Sequence, residues 1–331
     1  MRGILDKLRI DGFILAILAA VLVAAVLPAT GRAVPWADGL VTVAIGILFF
    51  LYGARIHPRE ALAGLAHWRL HVTILAFTFV LFPILGEALR FLPDSLLDTS
   101  LYAGVLYLCL VPSTVQSSIG FTSIAGGNVP GAIVSASASN LLGVFVTPLL
   151  VFALMGTTGE IAFHGSAVVD LCLQLLLPFV LGQLLRPLVG GFVEKYASSL
   201  KYVDRTSIVL VVYSAFSEGM REGIWHMVSW VAVIELVVLS VLMVAVMLWL
   251  TRVVARRMGF GRGDSIAIQF CGTKKSLATG LPMAAVLFAG QPVGLIVLPL
   301  MVFHQVQLMM CAWLAARYAK ELPPHIEPQP G

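Results

Sequence analysis

Long apolar runs alternate with short polar stretches along the whole chain. Ten of these runs read as membrane spans: about 11–28, 39–54, 71–88, a fourth beginning near Leu101 and interrupted at Pro112, then 129–154, 168–188, 206–220, 227–251, 265–288 and 292–316. A bilayer span needs about 20 mostly apolar residues in a helix. The pattern therefore predicts an all-α multi-pass membrane protein. The second and seventh runs are short, and the ninth carries charge.

Composition sharpens this. Of 331 residues, 59% are hydrophobic and 11% are charged, against about 25% charged in ordinary soluble domains. Such a chain cannot cover a soluble surface, so a soluble enzyme and a disordered segment are both excluded. The sequence holds no HExxH, GxSxG or P-loop pattern, and no enzyme is expected. The four cysteines, Cys109, Cys172, Cys271 and Cys311, lie in apolar runs without a CxxC pair and read as packing residues. The first run reads as a span in its own right, not as a cleavable signal.

Charge then sets sidedness. With a cytoplasmic N-terminus, inside segments carry sixteen of the 21 Lys and Arg, and outside segments carry Arg32, Arg90 and Arg221. The remaining two, Lys274 and Lys275, sit within the ninth run. This asymmetry follows the positive-inside rule and puts both termini in the cytoplasm.

Ten spans divide into two halves of five, 1–155 and 156–331, and an odd number per half forces inversion. The fourth span holds Pro112-Ser113-Thr114-Val115-Gln116-Ser117-Ser118-Ile119-Gly120, and the ninth holds Cys271-Gly272-Thr273-Lys274-Lys275-Ser276-Leu277-Ala278-Thr279-Gly280. Both read Thr-x-x-Ser with a glycine soon after, at the fourth position of their half. Pro112 breaks its helix, and Gly126-Gly127-Asn128-Val129-Pro130 turns into the fifth span. Irregular backbone at membrane depth is tolerated only when buried in protein or lining a cavity, where its freed groups can bind ions and anions.

Lys274 and Lys275 are the sharpest signal. One lysine at a span centre costs about 2.5–3.5 kcal/mol on insertion scales. Two adjacent lysines point in different directions, so snorkelling cannot rescue both. Such a residue could attract an anionic substrate, stand where a metal ion would otherwise bind, couple transport to protons, or cap carbonyls freed by a break. Glu235 in the eighth span could be their ion-pair or coupling partner, or could remain neutral and hydrogen-bonded. The fifth span adds Ser135, Ser137, Ser139 and Asn140, which serve either a site or close helix packing. Thr114, Gln116, Ser117, Ser118, Asn128, Thr273 and Ser276 flank the two breaks. Gln269 adds a further polar group, and His304, Gln305 and Gln307 cluster near the centre of the tenth span, where His304 could carry protons. Trp225, Trp230 and Trp249 sit where an interfacial aromatic belt would put them.

On Pro112-Ser113-Thr114, Gly127-Asn128-Val129 and the stretch from Gly272 to Gly280, the chain resembles the bile acid:sodium symporter family over about residues 10–317, in its bacterial branch of uncharacterised symporter-like proteins. The resemblance implies a panel domain from spans 1, 2, 6 and 7 and a core domain from spans 3–5 and 8–10. The broken fourth and ninth spans would cross at the core's centre. An organic anion, bile-acid-like or smaller, would bind between the domains and move by rocking, in the bacterial cytoplasmic membrane. No cofactor or obligate protein partner is expected beyond the lipid bilayer. Sodium is the ion the resemblance implies.

The departures bear on that ion. Sodium-coupled relatives read Glu-x-Gly-x-Gln-Asn-Ser in the ninth span. Here Phe270 falls at the glutamate, Lys274 at the glutamine and Lys275 at the asparagine, while Ser276 is kept. Thr78, ahead of Phe79 and Pro83, falls at a third-span glutamine. Thr114-Val115-Gln116-Ser117 falls at the relatives' Thr-Ala-Ser-Asn, and Ala132 and Ala136 fall near hydroxyl ligands. An ammonium only donates and repels sodium. The expectation is that Lys274 replaces a sodium ion as a tethered cation, with coupling to protons or to no ion. A membrane sensor or scaffold that keeps the fold without transporting is the competing class.

Overall fold

The computed structural model describes residues 12–55, 67–91, 99–156, 172–221, 223 and 229–321. The chain ends, Asp170 and Trp225 lie outside the described residues. Within them the regular structure is helical: α1 Gly12–Val26, α2 Ala33–Arg55, α3 Trp68–Phe91, α4 Thr99–Leu110, α5 Gln116–Ile124, α6 Val129–Met155, α7 Leu173–Lys195, α8 Ala197–Arg221, α9 Trp230–Arg257, α10 Arg262–Thr273, α11 Leu277–Leu287 and α12 Val293–Lys320.

Six of these, α2, α3, α6, α7, α9 and α12, are long and apolar enough to cross a membrane. The other predicted spans fall short of that measure for visible reasons. Helix α1 is apolar but short. The fourth span is divided into α4 and α5, and the ninth into α10 and α11. Helix α8 has 25 residues, but Lys201, Asp204 and Arg205 make its first half polar. Large apolar side chains such as Leu188, Trp230 and Trp249 stand exposed on the long helices. On a soluble surface they would form patches prone to association. Around a lipid-embedded bundle they face lipid.

The packing separates two groups of helices. Helices α1, α2, α7 and α8 pack on one another, α2 lying mainly along α7 and α1 along α8. The α2–α7 crossing is close because Gly53 and Gly182 meet the opposite backbone. A Cβ on Gly53 would lie 2.0 Å from the Phe179 carbonyl oxygen, and one on Gly182 would lie 2.0 Å from that of Phe50. Arg55 also pairs with Asp204, tying α2 to α8. Helices α3–α6 and α9–α12 form the second group, and α8 touches it through α11 and α12.

One end of the second group gathers basic residues. Arg69 donates to the Met258 carbonyl, and Arg262 donates to those of Gly126 and Tyr318. At that end Asn128 caps α6 by accepting from the Gly131 N–H at 2.8 Å, donates its side-chain amide to Asp264 at 2.6 Å, and donates its backbone N–H to the Gly263 carbonyl. The turn from α5 to α6 is thereby fixed to the start of α10.

Candidate functional site

The two helix breaks meet inside the second group. The first break, 111–115, follows from Pro112, which has no N–H to continue α4. The second, 274–276, is extended: Lys274 has ψ 152° and Ser276 ψ 111°. Each break satisfies the other's backbone. The Ser276 N–H donates to the Pro112 carbonyl at 2.8 Å, and the Ser113 hydroxyl donates to the Cys271 carbonyl at 2.6 Å. Helix α6 completes the first break. The Ser113 N–H donates to the Ser139 hydroxyl, and the Asn140 amide donates to the Ser113 carbonyl. The Asn140 side-chain oxygen accepts from the Thr279 hydroxyl at 2.6 Å, so one residue joins α6, the first break and α11. Irregular backbone here is thus buried and paired, as membrane depth requires.

Lys275 lies at the centre of this crossing and is fully buried. Its ammonium donates to the carbonyls of Thr78 at 2.8 Å, Cys109 at 2.7 Å and Val111 at 2.8 Å, with the Phe82 ring centroid 4.3 Å away. The local sequence explains why these oxygens are available. Helix α3 contains a π turn over Phe77–Leu81, in which the Phe82 N–H bonds to Phe77. Thr78 would otherwise receive that N–H, and the next donor along the chain is Pro83, which has none. The carbonyl of Cys109 loses its helical donor because the Ser113 N–H turns to Ser139. That of Val111 lies beyond the end of α4. Three freed carbonyls thus meet the three donors of one ammonium.

Lys274 is equally buried but differently placed. Among the described residues its ammonium has no hydrogen-bond partner, and it stacks over Phe121 at 3.9 Å and lies 5.7 Å from the Phe270 centroid. The hydroxyl of neighbouring Thr273 is also buried without a partner among the described residues. A cation over aromatic faces gains electrostatically, yet its N–H donors remain uncommitted. Neither lysine forms an ion pair with Glu235, which sits half-buried on α9, so the expected partnership is replaced by carbonyls and rings.

The other predicted residues separate into three sets. The Thr114 hydroxyl bonds to those of Ser117 and Ser118 at the start of α5, with Ser118 also donating to the Phe270 carbonyl. Ser139, Asn140 and Ser276 hold the breaks, Ser276 as the cap of α11. Thr78 contributes its carbonyl, while its hydroxyl returns to Ile74. Ser135 is hydrogen-bonded to His71 at 2.6 Å, and Asn128 lies at the basic end, so both serve elsewhere than the crossing. Gln116 and Ser137 are exposed. Gln305 is half-buried, whereas Gln307 accepts from the Lys275 N–H and donates to the Lys275 carbonyl and to His304 Nδ1, each at 2.8 Å. Gln269 bridges the Leu248 carbonyl and the Tyr318 hydroxyl.

Neither Tyr107, whose hydroxyl donates to the Gly280 carbonyl, nor Thr147, which donates to that of Leu110, stands among the candidate site residues. A hydroxyl within an apolar run was the signal for each.

A buried crossing of two broken helices carrying cationic charge is a transporter's architecture more than an enzyme's. The sequence pattern of the SBF-like CPA transporter family matches residues 11–320. The chain belongs to that family. It is 52% identical to an uncharacterised protein of Pseudomonas aeruginosa over 310 residues, covering 94% of this chain and 93% of that one. It is 49% identical over 314 residues to YfeH of Escherichia coli, whose name provisionally assigns it as a symporter, covering 94% of each. It is 27% identical over 315 residues to sodium/bile acid cotransporter 7-B of Xenopus laevis, covering 93% of this chain and 91% of that one. The family is one of transporters, not enzymes, and the chain is a bacterial multi-pass membrane protein. The carbonyls that could receive a metal cation at the crossing accept from Lys275 instead.

Proposed function

We propose that this protein is a secondary transporter that moves an organic anion across the bacterial cytoplasmic membrane by alternating access, without sodium coupling. The observation that carries the reading is the uncommitted, buried ammonium of Lys274 at the meeting of the two breaks. A cation held without hydrogen-bond partners in a dry setting is costly unless a later state of the cycle supplies one. An anionic group entering between the helix groups is such a partner.

In this reading the chain makes ten spans in two inverted halves, 1–155 and 156–331, with α4–α5 and α10–α11 as the broken fourth and ninth. The separate packing of α1, α2, α7 and α8 supports their role as a panel against which the second group rocks. The gathering of Arg69, Arg252, Arg256, Arg257 and Arg262 on connected helix ends supports a cytoplasmic face there, with both chain ends inside. Two fixed cationic charges at the crossing disfavour sodium and leave proton coupling or ion-independent exchange.

The test is purified protein reconstituted in vesicles, with solid-supported-membrane currents and radiolabelled uptake for small organic anions, taurocholate and steroid sulfates. Expected is anion-dependent transport that persists without sodium and is lost in Lys274→Gln. Transport that requires a sodium gradient overturns the coupling. Absence of uptake across the whole panel overturns transport of these anions and favours a sensor or scaffold.

A further inference from the structure

The oxygens around Lys275 form a cage for a single positive charge. Three carbonyls, from Thr78 on α3 and from Cys109 and Val111 at the first break, converge on one point at 2.7–2.8 Å. No carboxylate shares the point among the described residues, so the cage balances one charge through dipoles alone. Rings of backbone carbonyls that replace a hydration shell are how proteins bind alkali cations in dry surroundings. The cage does not depend on the lysine for its existence. The Thr78 carbonyl is freed by the π turn and Pro83, the Cys109 carbonyl because the Ser113 N–H goes to Ser139, and the Val111 carbonyl because it lies past the end of α4. The lysine is delivered to it by a backbone that is itself pinned. Gln307 bonds both backbone groups of Lys275, and the next N–H, of Ser276, bonds to Pro112.

We propose that this cage is an alkali-cation site permanently occupied by the Lys275 ammonium, and that removing the amine exposes a working sodium or potassium site. Lys275, not Lys274, is then the tethered cation. The inference rests on the transporter reading only for its meaning in the cycle; the site itself is tested by binding. Replacing the ammonium conserves a charge of +1 when a monovalent metal enters. It also leaves room, because the lysine side chain is among the largest fully buried ones in the molecule. A site filled by a side chain cannot empty with each cycle, so ion release is uncoupled from substrate movement.

The experiment compares wild type, Lys275→Ala and Lys275→Gln as purified full-length protein. Thermal unfolding is followed in sodium, potassium or N-methylglucamine chloride at equal ionic strength. Wild type is expected to unfold at the same temperature in all three salts. Each variant is expected to be less stable in N-methylglucamine and to gain about 3 °C or more in sodium or potassium, saturating with concentration. A variant that is monodisperse only when an alkali salt is present also supports the site. Folded variants that respond to the salts no more than wild type overturn it. So do variants that no salt brings to a monodisperse state. Because none of these readouts requires transport, failure of the site and failure of the transport reading give different results.

Discussion

Gln307 holds Lys275 by both of its backbone groups, accepting from its N–H and donating to its carbonyl, each at 2.8 Å. The second amide hydrogen goes to His304 Nδ1, which places the imidazole proton on Nε2. One amide side chain therefore substitutes for the helix that is missing at the second break. Gln307→Leu strands two buried backbone groups, at about 1–3 kcal/mol each. The thermal midpoint should fall by several degrees. Gln305→Leu, two residues away and half-buried, should change it little. Equal shifts for the two variants would show that the clamp contributes nothing specific.

The two lysines should respond oppositely to the same substitution. Lys275→Met removes three hydrogen bonds and leaves three buried carbonyls without a donor, at about 1–3 kcal/mol each. Lys274→Met removes an ammonium that has no hydrogen bond and puts an adaptable apolar chain against Phe121 and Phe270. It should leave the thermal midpoint within a few degrees of wild type or raise it, while abolishing anion uptake. Size-exclusion and thermal-shift profiles beside uptake would decide. A stable Lys275→Met with an unstable Lys274→Met would reverse the roles given to the two residues.

The contrast between these lysines marks how far the sequence could be read. Their cost in a membrane was legible from composition, as was the chain break at Pro112. Which lysine is satisfied was not. That depends on three carbonyls from residues 78, 109 and 111, and carbonyls carry no letter of their own. Pro83 and Pro112 were the available signals, since each removes an N–H from its helix and interrupts the regular pairing of nearby carbonyls. Glu235 stood out as a candidate partner because charges are visible in sequence and dipoles are not. Helices also run past the apolar spans for a related reason. The eighth apolar run ends near 251, and α9 continues through Arg252 and Arg256 to Arg257. Hydropathy ends with the hydrocarbon, and the helix does not. The first half of α8 was likewise invisible to an apolar-run reading.

The α2–α7 contact makes a steric prediction. An alanine at Gly53 or Gly182 would drive its Cβ to within 2.0 Å of a backbone oxygen, and backbone cannot step aside as a side chain can. Overpacking costs about 1–3 kcal/mol where a core can adjust, and more where it cannot. Both Gly53→Ala and Gly182→Ala should reduce the yield of monodisperse protein and lower the thermal midpoint. Gly120→Ala, in α5, meets nothing within 4 Å and replaces a poor helix former with a good one. It should leave stability equal or higher. A destabilised Gly120→Ala beside unaffected Gly53 and Gly182 variants would contradict the packing.

The Asn128–Asp264 bond gives a prediction that separates support from binding. Asn128 caps α6 and reaches α10 at 2.6 Å, at the basic end and away from the crossing. Removing an Asn cap costs about 1 kcal/mol, and a hydrogen bond to a charged acceptor adds about 1.5–3 kcal/mol. Asn128→Ala should therefore lower stability more than Asp264→Ala, which leaves the cap intact. The two changes together should cost less than their sum, because both delete the same bond. Neither should alter the half-saturating anion concentration in uptake, since neither side chain touches the crossing. A thermal-unfolding double-mutant cycle with coupling near zero would remove the bond's role. A large change in half-saturation would instead move the anion's path to the basic end.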